Sequence, residues 1–230
     1  MFCPHCGAQV ADDAPYCPAC GRPQNASAGA PPAPAYSGIP QGVKAQTGKW
    51  IGDGWDIIKS DILTFALMTL ITLLICSVVP IILQGALFAG LQLACARKLI
   101  HGRMEFGDLF LGFNFFVPTM VASILISVFA AIGFLVCIVP GLVICAMYSF
   151  TYLFIVDKRM EFWPAMQASF AIVKQDYVGF TLFFVVGALI NILGTLACLI
   201  GVLVTVPTLF ASQVAAYKEL VGFEPNTVKP

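Results

Sequence analysis

Four cysteines near the start of the sequence have the spacing of a metal site. Cys3 and Cys6 belong to one Cys-Pro-x-Cys-Gly motif, and Cys17 and Cys20 belong to a second, with ten residues between the two pairs. Two such pairs place four thiolates on two tight turns, and zinc binds four sulfur ligands as a tetrahedron with Zn–S distances of about 2.3 Å. The sequence therefore predicts one structural Zn²⁺ bound by these four cysteines.

The residues around the cysteines agree with a structural metal. Gly7 and Gly21 follow the two pairs, and glycine readily adopts the left-handed conformation that such a turn requires. A segment of this length cannot fold on a hydrophobic core alone, so we expect its order to depend on the metal. The alternative is two disulfides, which require an oxidising compartment. We expect His5 to be an exposed bystander.

The next segment has the composition of a linker. Residues 24–48 are rich in Pro, Ala, Gly and Ser, which cannot bury a core, so we expect a disordered tether. The sequence thus predicts four regions: a zinc module at 1–23, the linker at 24–48, a helical membrane domain at 49–222 and a tail at 223–230.

The composition indicates a membrane protein. Hydrophobic residues make up 59% of the chain and charged residues only 10%, whereas a soluble domain carries about 25% charged residues. The net charge is zero, which gives no electrostatic reason to expect nucleic-acid binding. The first residues lack a basic stretch followed by an apolar one, so we expect no signal peptide.

Three long uncharged runs predict an all-α domain of helical hairpins. Residues 62–96, 109–156 and 177–217 contain no Asp, Glu, Lys or Arg. A spanning helix needs about 20 apolar residues, so each run suits two spans. Breaks near the middle, at Pro80, Pro140-Gly141 and Gly201, predict six spans: 61–79, 81–97, 116–137, 141–157, 177–198 and 201–218. The first run could instead form one long kinked helix, because membrane helices tolerate proline.

The distribution of basic residues predicts the orientation. All 12 Lys and Arg residues lie before, between or after the uncharged runs. Six crossings place every one of them on the same side as the N-terminus. The positive-inside rule then predicts a multi-pass inner-membrane protein with both termini in the cytoplasm.

A regular spacing suggests related hairpins. Cys76, Cys137 and Cys198 are separated by 61 residues each time, and each precedes a predicted hairpin turn. The spacing reflects either a threefold repeat or three hairpins of similar length. We expect these cysteines to pack as small apolar residues near the outer face.

Short amphipathic segments precede the odd-numbered spans. We expect them to be helices in the cytoplasmic interface with Trp at headgroup depth; the alternative is that they begin the spans at a tilt. Their predicted apolar faces are Trp50, Ile51, Trp55, Ile58 and Ile62; then Phe106, Leu109, Phe110 and Phe113; then Trp163, Met166, Phe170 and Val173.

The doubled CPxCG motif resembles the short zinc ribbons found at the N-termini of many bacterial and archaeal proteins. Such ribbons often act as interaction modules, so the resemblance implies a protein partner. Some ribbons contact nucleic acid, but we do not expect it here. The ribbon carries Arg22 against two acids, Asp12 and Asp13, and a four-thiolate zinc site is itself net negative.

The membrane region is similar to a broad group of uncharacterised prokaryotic multi-pass proteins, which includes the membrane domain attached to some glycerophosphodiester phosphodiesterases. The similarity depends on Val139-Pro140-Gly141, on Asp157-Lys158-Arg159 and on the segment AMQASFAIVKQDY. The group implies no settled activity. We expect no phosphodiesterase catalytic domain here, so that activity does not carry over.

The predicted spans lack the groups that intramembrane chemistry uses. They contain no Asp, Glu, Lys, Arg or His away from their ends, so we predict that the protein is not an enzyme. We expect Asp157 to form an interfacial ion pair. The deepest polar residues are expected to form interhelical hydrogen bonds; the alternative is a polar path for a neutral or lipid-like solute near Asn191. These residues are Gln84, Gln92, Asn191 and Gln213.

Two functions remain open from the sequence. The first is a membrane scaffold, sensor or assembly factor whose cytoplasmic zinc ribbon recruits a protein partner. The second is a transporter or lipid-handling protein with a regulatory ribbon. Partners of either would be the lipid bilayer and a protein, not nucleic acid, and a homo-oligomer is compatible with both.

Overall fold

The computed structural model describes residues 38–78, 82–196 and 200–224. The chain divides into two compact units, Met1–Ser37 and Gly38–Pro230, and every described residue belongs to the second. The predicted zinc ligands Cys3, Cys6, Cys17 and Cys20 therefore lie outside the described residues, as do most of the predicted linker, Pro80 and Cys198.

The regular structure in the described residues is helical throughout, with ten α-helices and two short 3₁₀ segments, Gly112–Phe115 and Lys174–Asp176. The α-helices are α1 Thr47–Ile58, α2 Ile62–Val78, α3 Gln84–His101, α4 Asp108–Leu111, α5 Phe116–Val136, α6 Ile138–Met147, α7 Thr151–Lys158, α8 Phe162–Val173, α9 Tyr177–Leu196 and α10 Ile200–Leu220.

The helices coincide with the predicted helical segments to within a few residues. The six predicted segments correspond to α2, α3, α5, the pair α6 and α7, α9, and α10. Each predicted hairpin ends with a residue in the left-handed conformation: Gly102 after α3, Arg159 after α7 and Gly222 after α10. Such residues commonly terminate helices, because they let the last carbonyls accept hydrogen bonds from the following turn.

The fourth predicted segment is broken at residues 148–150, between α6 and α7. The hydroxyl of Ser169, on α8, accepts a hydrogen bond from the backbone N–H of Phe150 at 3.2 Å and donates to the carbonyl of Met147 at 2.7 Å. This side chain satisfies backbone groups that the break leaves free, which is the condition for interrupting a helix in an apolar environment.

Six membrane crossings are not confirmed by the described helices. Three helical stretches are long and apolar enough to cross a membrane: Asp108–Val136, Ile138–Lys158 and Phe162–Leu196. A fourth would be the pair formed by α1 and α2, which is bent by 99°. With 17 residues, α2 alone is shorter than the roughly 20 residues that a straight span needs.

Glycines allow the helices to approach each other closely. A β-carbon at Gly90, in α3, would lie 1.9 Å from the carbonyl oxygen of Leu109 in α4. A β-carbon at Gly133, in α5, would lie 2.9 Å from the α-carbon of Gly141 in α6. Membrane helices characteristically pack through small residues, since lipid supplies no hydrophobic force between them.

Large apolar side chains cover much of the outer surface of the described helices. Leu63 on α2 is 84% exposed and Leu135 on α5 is 89% exposed, and α6 and α9 expose further Ile, Val and Leu side chains. Soluble proteins rarely expose contiguous apolar surface on this scale, so this surface suits contact with lipid.

The predicted apolar face of α1 is wrong. Trp50, Gly54 and Ile58 are buried, but Trp55 is exposed, so the two tryptophans do not share a face. Residues five apart on a helix are separated by more than 120°, and the buried stripe follows the spacing of four instead. Trp50 packs inside the bundle, where its ring lies 5.6 Å from that of Phe180.

The apolar face predicted for α8 is also divided. Met166 and Val173 are buried, whereas Trp163 and Phe170 are exposed. Because α8 is apolar on most of its circumference, periodicity alone did not separate its bundle-facing side from its outer side. In the remaining predicted face only Leu109 is fully buried, and Phe110 is exposed.

Candidate functional site

Three clusters of ionisable side chains lie at one end of the helices. At the end of α3, Arg97 forms an ion pair with the buried Asp108, which also accepts the backbone N–H of Glu105 at 3.0 Å. The neighbouring Lys98 forms an ion pair with Asp61, just before α2. The hydrogen bond from Lys98 holds the pKa of Asp61 below its ordinary value. These contacts join the ends of α2, α3 and α4.

Asp157 forms a second cluster at the end of α7. Its carboxylate is buried and accepts hydrogen bonds from the Tyr217 hydroxyl and from the backbone N–H of Glu224, both at 2.9 Å. The Lys158 ammonium lies 3.2 Å from the same carboxylate and 3.3 Å from that of Glu224. The ion pair predicted for Asp157 is confirmed, and the cluster attaches the C-terminal residues to α7 and α10.

Glu219 forms the third cluster, at the end of α10. It accepts hydrogen bonds from the Trp50 indole at 2.8 Å and the Gln46 amide at 3.1 Å, and Lys49 lies 3.0 Å away. These donors, the indole first, lower the pKa of Glu219. Sequence analysis did not identify this cluster, because the partners are 169 residues apart.

The three clusters follow the spacing of the predicted repeat. Arg97, Lys158 and Glu219 are each 61 residues apart. Arg97 binds Asp108 of α4 and Glu219 binds Trp50 of α1, whereas Lys158 binds Glu224, which follows α10. Three hairpins of similar length would also bring such residues to one end of the helices. The spacing is therefore compatible both with a threefold repeat and with unrelated hairpins of similar length.

An open cleft of about 550 Å³ lies beside these clusters, between α1 and the ends of α3 and α10. Its volume is within the range of roughly 300–1,000 Å³ that is typical of small-molecule sites. The cleft carries both signs of charge over a small apolar base. The lining residues are Lys49, Asp53, Asp56, Ile57, Lys98, Leu99, Ala215, Lys218 and Glu219.

The deeper polar residues fulfil the prediction only in part. Gln92 on α3 donates a hydrogen bond to Gln213 on α10 at 3.0 Å, and both side chains are buried. This interhelical bond was predicted and is confirmed. Asn191 instead donates within its own helix, to the carbonyl of Gly187 at 3.1 Å. Gln84 is partly buried and makes no interhelical hydrogen bond among the described residues.

The space near Asn191 is too small for a solute. A cavity lined by Gly187, Ile190 and Thr205 has a volume of about 10 Å³, and a second cavity between α3 and α7 is no larger. Such a volume admits at most one water molecule. Neither cavity supports a path for a lipid-like molecule.

The remaining cysteines and acids do not add a metal site. Within residues 38–78, 82–196 and 200–224, no group of three or more His, Cys, Asp or Glu side chains is placed to bind a metal ion. Cys76, Cys95, Cys137 and Cys145 are free thiols. Cys137 is exposed rather than packed, because it lies at the turn between α5 and α6.

Comparison with known proteins supports the first of the predicted regions. Residues 2–24 match the zinc-ribbon domain family, and this range contains Cys3, Cys6, Cys17 and Cys20. Four cysteines in two Cys-x-x-Cys pairs are a donor set that fits zinc.

The chain is also similar to uncharacterised mycobacterial proteins. It is 28% identical over 103 residues to one from Mycobacterium bovis and to one from Mycobacterium tuberculosis, covering 45% of this chain and 32% of each relative. The match thus spans about a third of the length of these relatives. No solved structure matches the chain. The protein therefore combines an N-terminal zinc-ribbon domain with helices long and apolar enough to span a membrane.

Proposed function

We propose that this protein is a multi-pass membrane protein whose cytoplasmic zinc ribbon recruits a protein partner, in the role of a scaffold, sensor or assembly factor. The observation that carries the proposal is the zinc-ribbon match at residues 2–24 in a chain whose helices have membrane length. Cys3, Cys6, Cys17 and Cys20 would hold one Zn²⁺. The metal would supply folding energy to a segment too short to fold without it.

Six crossings, with both termini in the cytoplasm, are part of this proposal. The charged clusters of Asp108, Asp157 and Glu219 gather at one end of the helices. The turn between α5 and α6, at the other end, exposes Val136, Ile138 and Val139. If the cytoplasmic face of the membrane lies at the charged end, the charged clusters stay at the aqueous boundary and the apolar turn lies on the opposite side. This orientation also satisfies the positive-inside rule.

Fusions at two positions test this topology. We expect alkaline phosphatase inserted after Val136 to be active, because that turn would face the oxidising side where the enzyme folds. Green fluorescent protein fused at the C-terminus should fluoresce. With the reporters exchanged, green fluorescent protein after Val136 and alkaline phosphatase at the C-terminus should both be inactive. An active phosphatase at the C-terminus would contradict a cytoplasmic C-terminus.

Several polar side chains of the helices are already bound to partners, which favours recruitment of a protein partner over transport of a solute. A transporter keeps ionisable groups available near the middle of the membrane. Here Asp108 and Asp157 are bound by partners at the helix ends, and Gln92 is bound to Gln213. The internal cavities near Asn191 and Ala89 have room for one water molecule at most.

Affinity capture of the full chain tests recruitment. We expect the double variant Cys3→Ser, Cys6→Ser to lose its zinc and its captured protein partner, because the ribbon would no longer fold. The matched control is Cys76→Ser with Cys137→Ser, which changes the same number of cysteines outside the ribbon and should retain both. Zinc content is measured by atomic emission and partners by quantitative mass spectrometry. Identical partners in all three samples would refute recruitment through the ribbon.

The open cleft favours a second candidate function, lipid handling. It has a volume of about 550 Å³, and it lies at the charged ends, where lipid headgroups would be found in the proposed orientation. Its lining residues define what it could bind.

A further inference from the structure

The cleft between α1, α3 and α10 contains charges of both signs. Three lysines and three acids line it. Most of these are already neutralised: Lys49 binds Glu219 at 3.0 Å, Asp56 binds Lys59 at 2.7 Å, and Lys98 binds Asp61.

Two charges in the cleft have no ion-pair partner among the described residues. They are the ammonium of Lys218 on α10 and the carboxylate of Asp53 on α1. An anion such as inorganic phosphate would satisfy Lys218 but would be repelled by Asp53, and a cation would have the opposite difficulty. A ligand that carries one charge of each sign satisfies both groups and leaves the cleft neutral.

The cleft also offers an apolar base and an apolar exit. Ile57, Leu99 and Ala215 form the uncharged part of its lining. Lys98, in the lining, binds Asp61, and the exposed Ile62 and Leu63 follow Asp61 directly. Apolar surface suited to an acyl chain therefore begins beside a site suited to a polar headgroup.

We propose that this cleft binds the headgroup of a zwitterionic phospholipid with a primary amine, as in phosphatidylethanolamine. Lys218 binds the phosphate and Asp53 accepts hydrogen bonds from the ammonium, while the glycerol and the start of an acyl chain lie over the apolar base. A primary ammonium donates three hydrogen bonds, which a quaternary one cannot do. The cleft lies wholly within residues 38–224, so this binding is independent of partner recruitment by the ribbon.

Native mass spectrometry of the full chain, released from bilayers of equal phosphatidylethanolamine and phosphatidylglycerol, tests the proposal. We expect phosphatidylethanolamine to be retained in about tenfold excess, which corresponds to a modest difference in binding free energy. Lys218→Gln should lower the retention of both lipids, because both carry the phosphate. Asp53→Asn should abolish the excess, because only phosphatidylethanolamine carries the ammonium that Asp53 binds. The matched controls Lys44→Gln and Glu105→Gln remove one exposed charge of each sign outside the cleft and should preserve it.

Several results would overturn the assignment. Equal retention of the two lipids, or an unchanged excess in Asp53→Asn, would show that the cleft does not select the headgroup. Unchanged total lipid retention in Lys218→Gln would show that Lys218 does not bind the phosphate. Soluble glycerophosphoethanolamine binding as tightly as the lipid would assign the site to a free metabolite instead. The Cys3→Ser, Cys6→Ser variant should keep the lipid excess while losing its protein partner, so failure of one proposal is distinguishable from failure of the other. Size-exclusion profiles and circular dichroism establish that each variant is folded.

Discussion

Replacing Asp157 with alanine is expected to destabilise the helical domain by about 3 kcal/mol or more, the typical cost of removing one partner from a buried ion pair. The carboxylate is buried and binds the Tyr217 hydroxyl, the backbone N–H of Glu224 and the Lys158 ammonium. Its removal leaves these donors without that acceptor in a region that excludes water. The measurement is the unfolding temperature of the full chain in detergent, followed by tryptophan fluorescence.

Asp56→Ala is the matched control for this prediction. Asp56 also binds a neighbouring lysine, Lys59 at 2.7 Å, but the two side chains are 64% and 56% exposed. Exposed pairs contribute about 0–1 kcal/mol, so this variant should unfold close to the wild type. If the two alanine variants unfold at the same temperature, the buried cluster does not stabilise the domain as described.

Gly54→Ala is expected to destabilise the packing of α1 on α10 by about 1–3 kcal/mol, the usual cost of inserting a methyl group into a well-packed contact. A β-carbon at Gly54 would lie 2.7 Å from the backbone nitrogen and 2.9 Å from the α-carbon of Ser212. Because these are backbone atoms, no side-chain rotation relieves the contact and α1 must move away from α10.

Gly52→Ala in the same helix separates this effect from helix propensity. A β-carbon at Gly52 meets nothing within 4 Å, so alanine there should stabilise α1 by about 0.5–1 kcal/mol. Unfolding temperatures of both variants are compared, with and without Ser212→Ala. Removing the Ser212 hydroxyl should not rescue Gly54→Ala, since the backbone contact remains. Full rescue would show that the hydroxyl, not the backbone, limits the approach.

The helices were predictable because charge and length are local properties of the sequence. Uncharged runs bounded by Lys, Arg and Asp predicted α2, α3, α5, α9 and α10 nearly to their ends. The break before α7 was not predicted, because it depends on the Ser169 hydroxyl of another helix. The number of crossings also does not follow from length alone, since the 99° bend before α2 allows more than one path.

The zinc site was predictable because its residues are close in sequence, whereas the cluster around Glu219 was not, because its residues are far apart in sequence. Cys3, Cys6, Cys17 and Cys20 carry a spacing that identifies a zinc donor set without knowledge of the fold, and residues 2–24 match the zinc-ribbon family. The contact between Trp50 and Glu219, in contrast, joins residues 169 positions apart. A single sequence does not indicate which indole meets which carboxylate, so the cleft beside them was not predicted either.

The two ends of the helical bundle are held together by different forces. Ion pairs and hydrogen bonds of Asp61, Asp108, Asp157 and Glu219 fix one end, whereas α5 and α6 meet near their turn through the backbones of Gly133 and Gly141. Contacts of the second kind are van der Waals contacts without a directional bond. If the helices cross a bilayer as proposed, a thinner bilayer would tilt them about the fixed end, so the turn between α5 and α6 would move farther than the charged clusters.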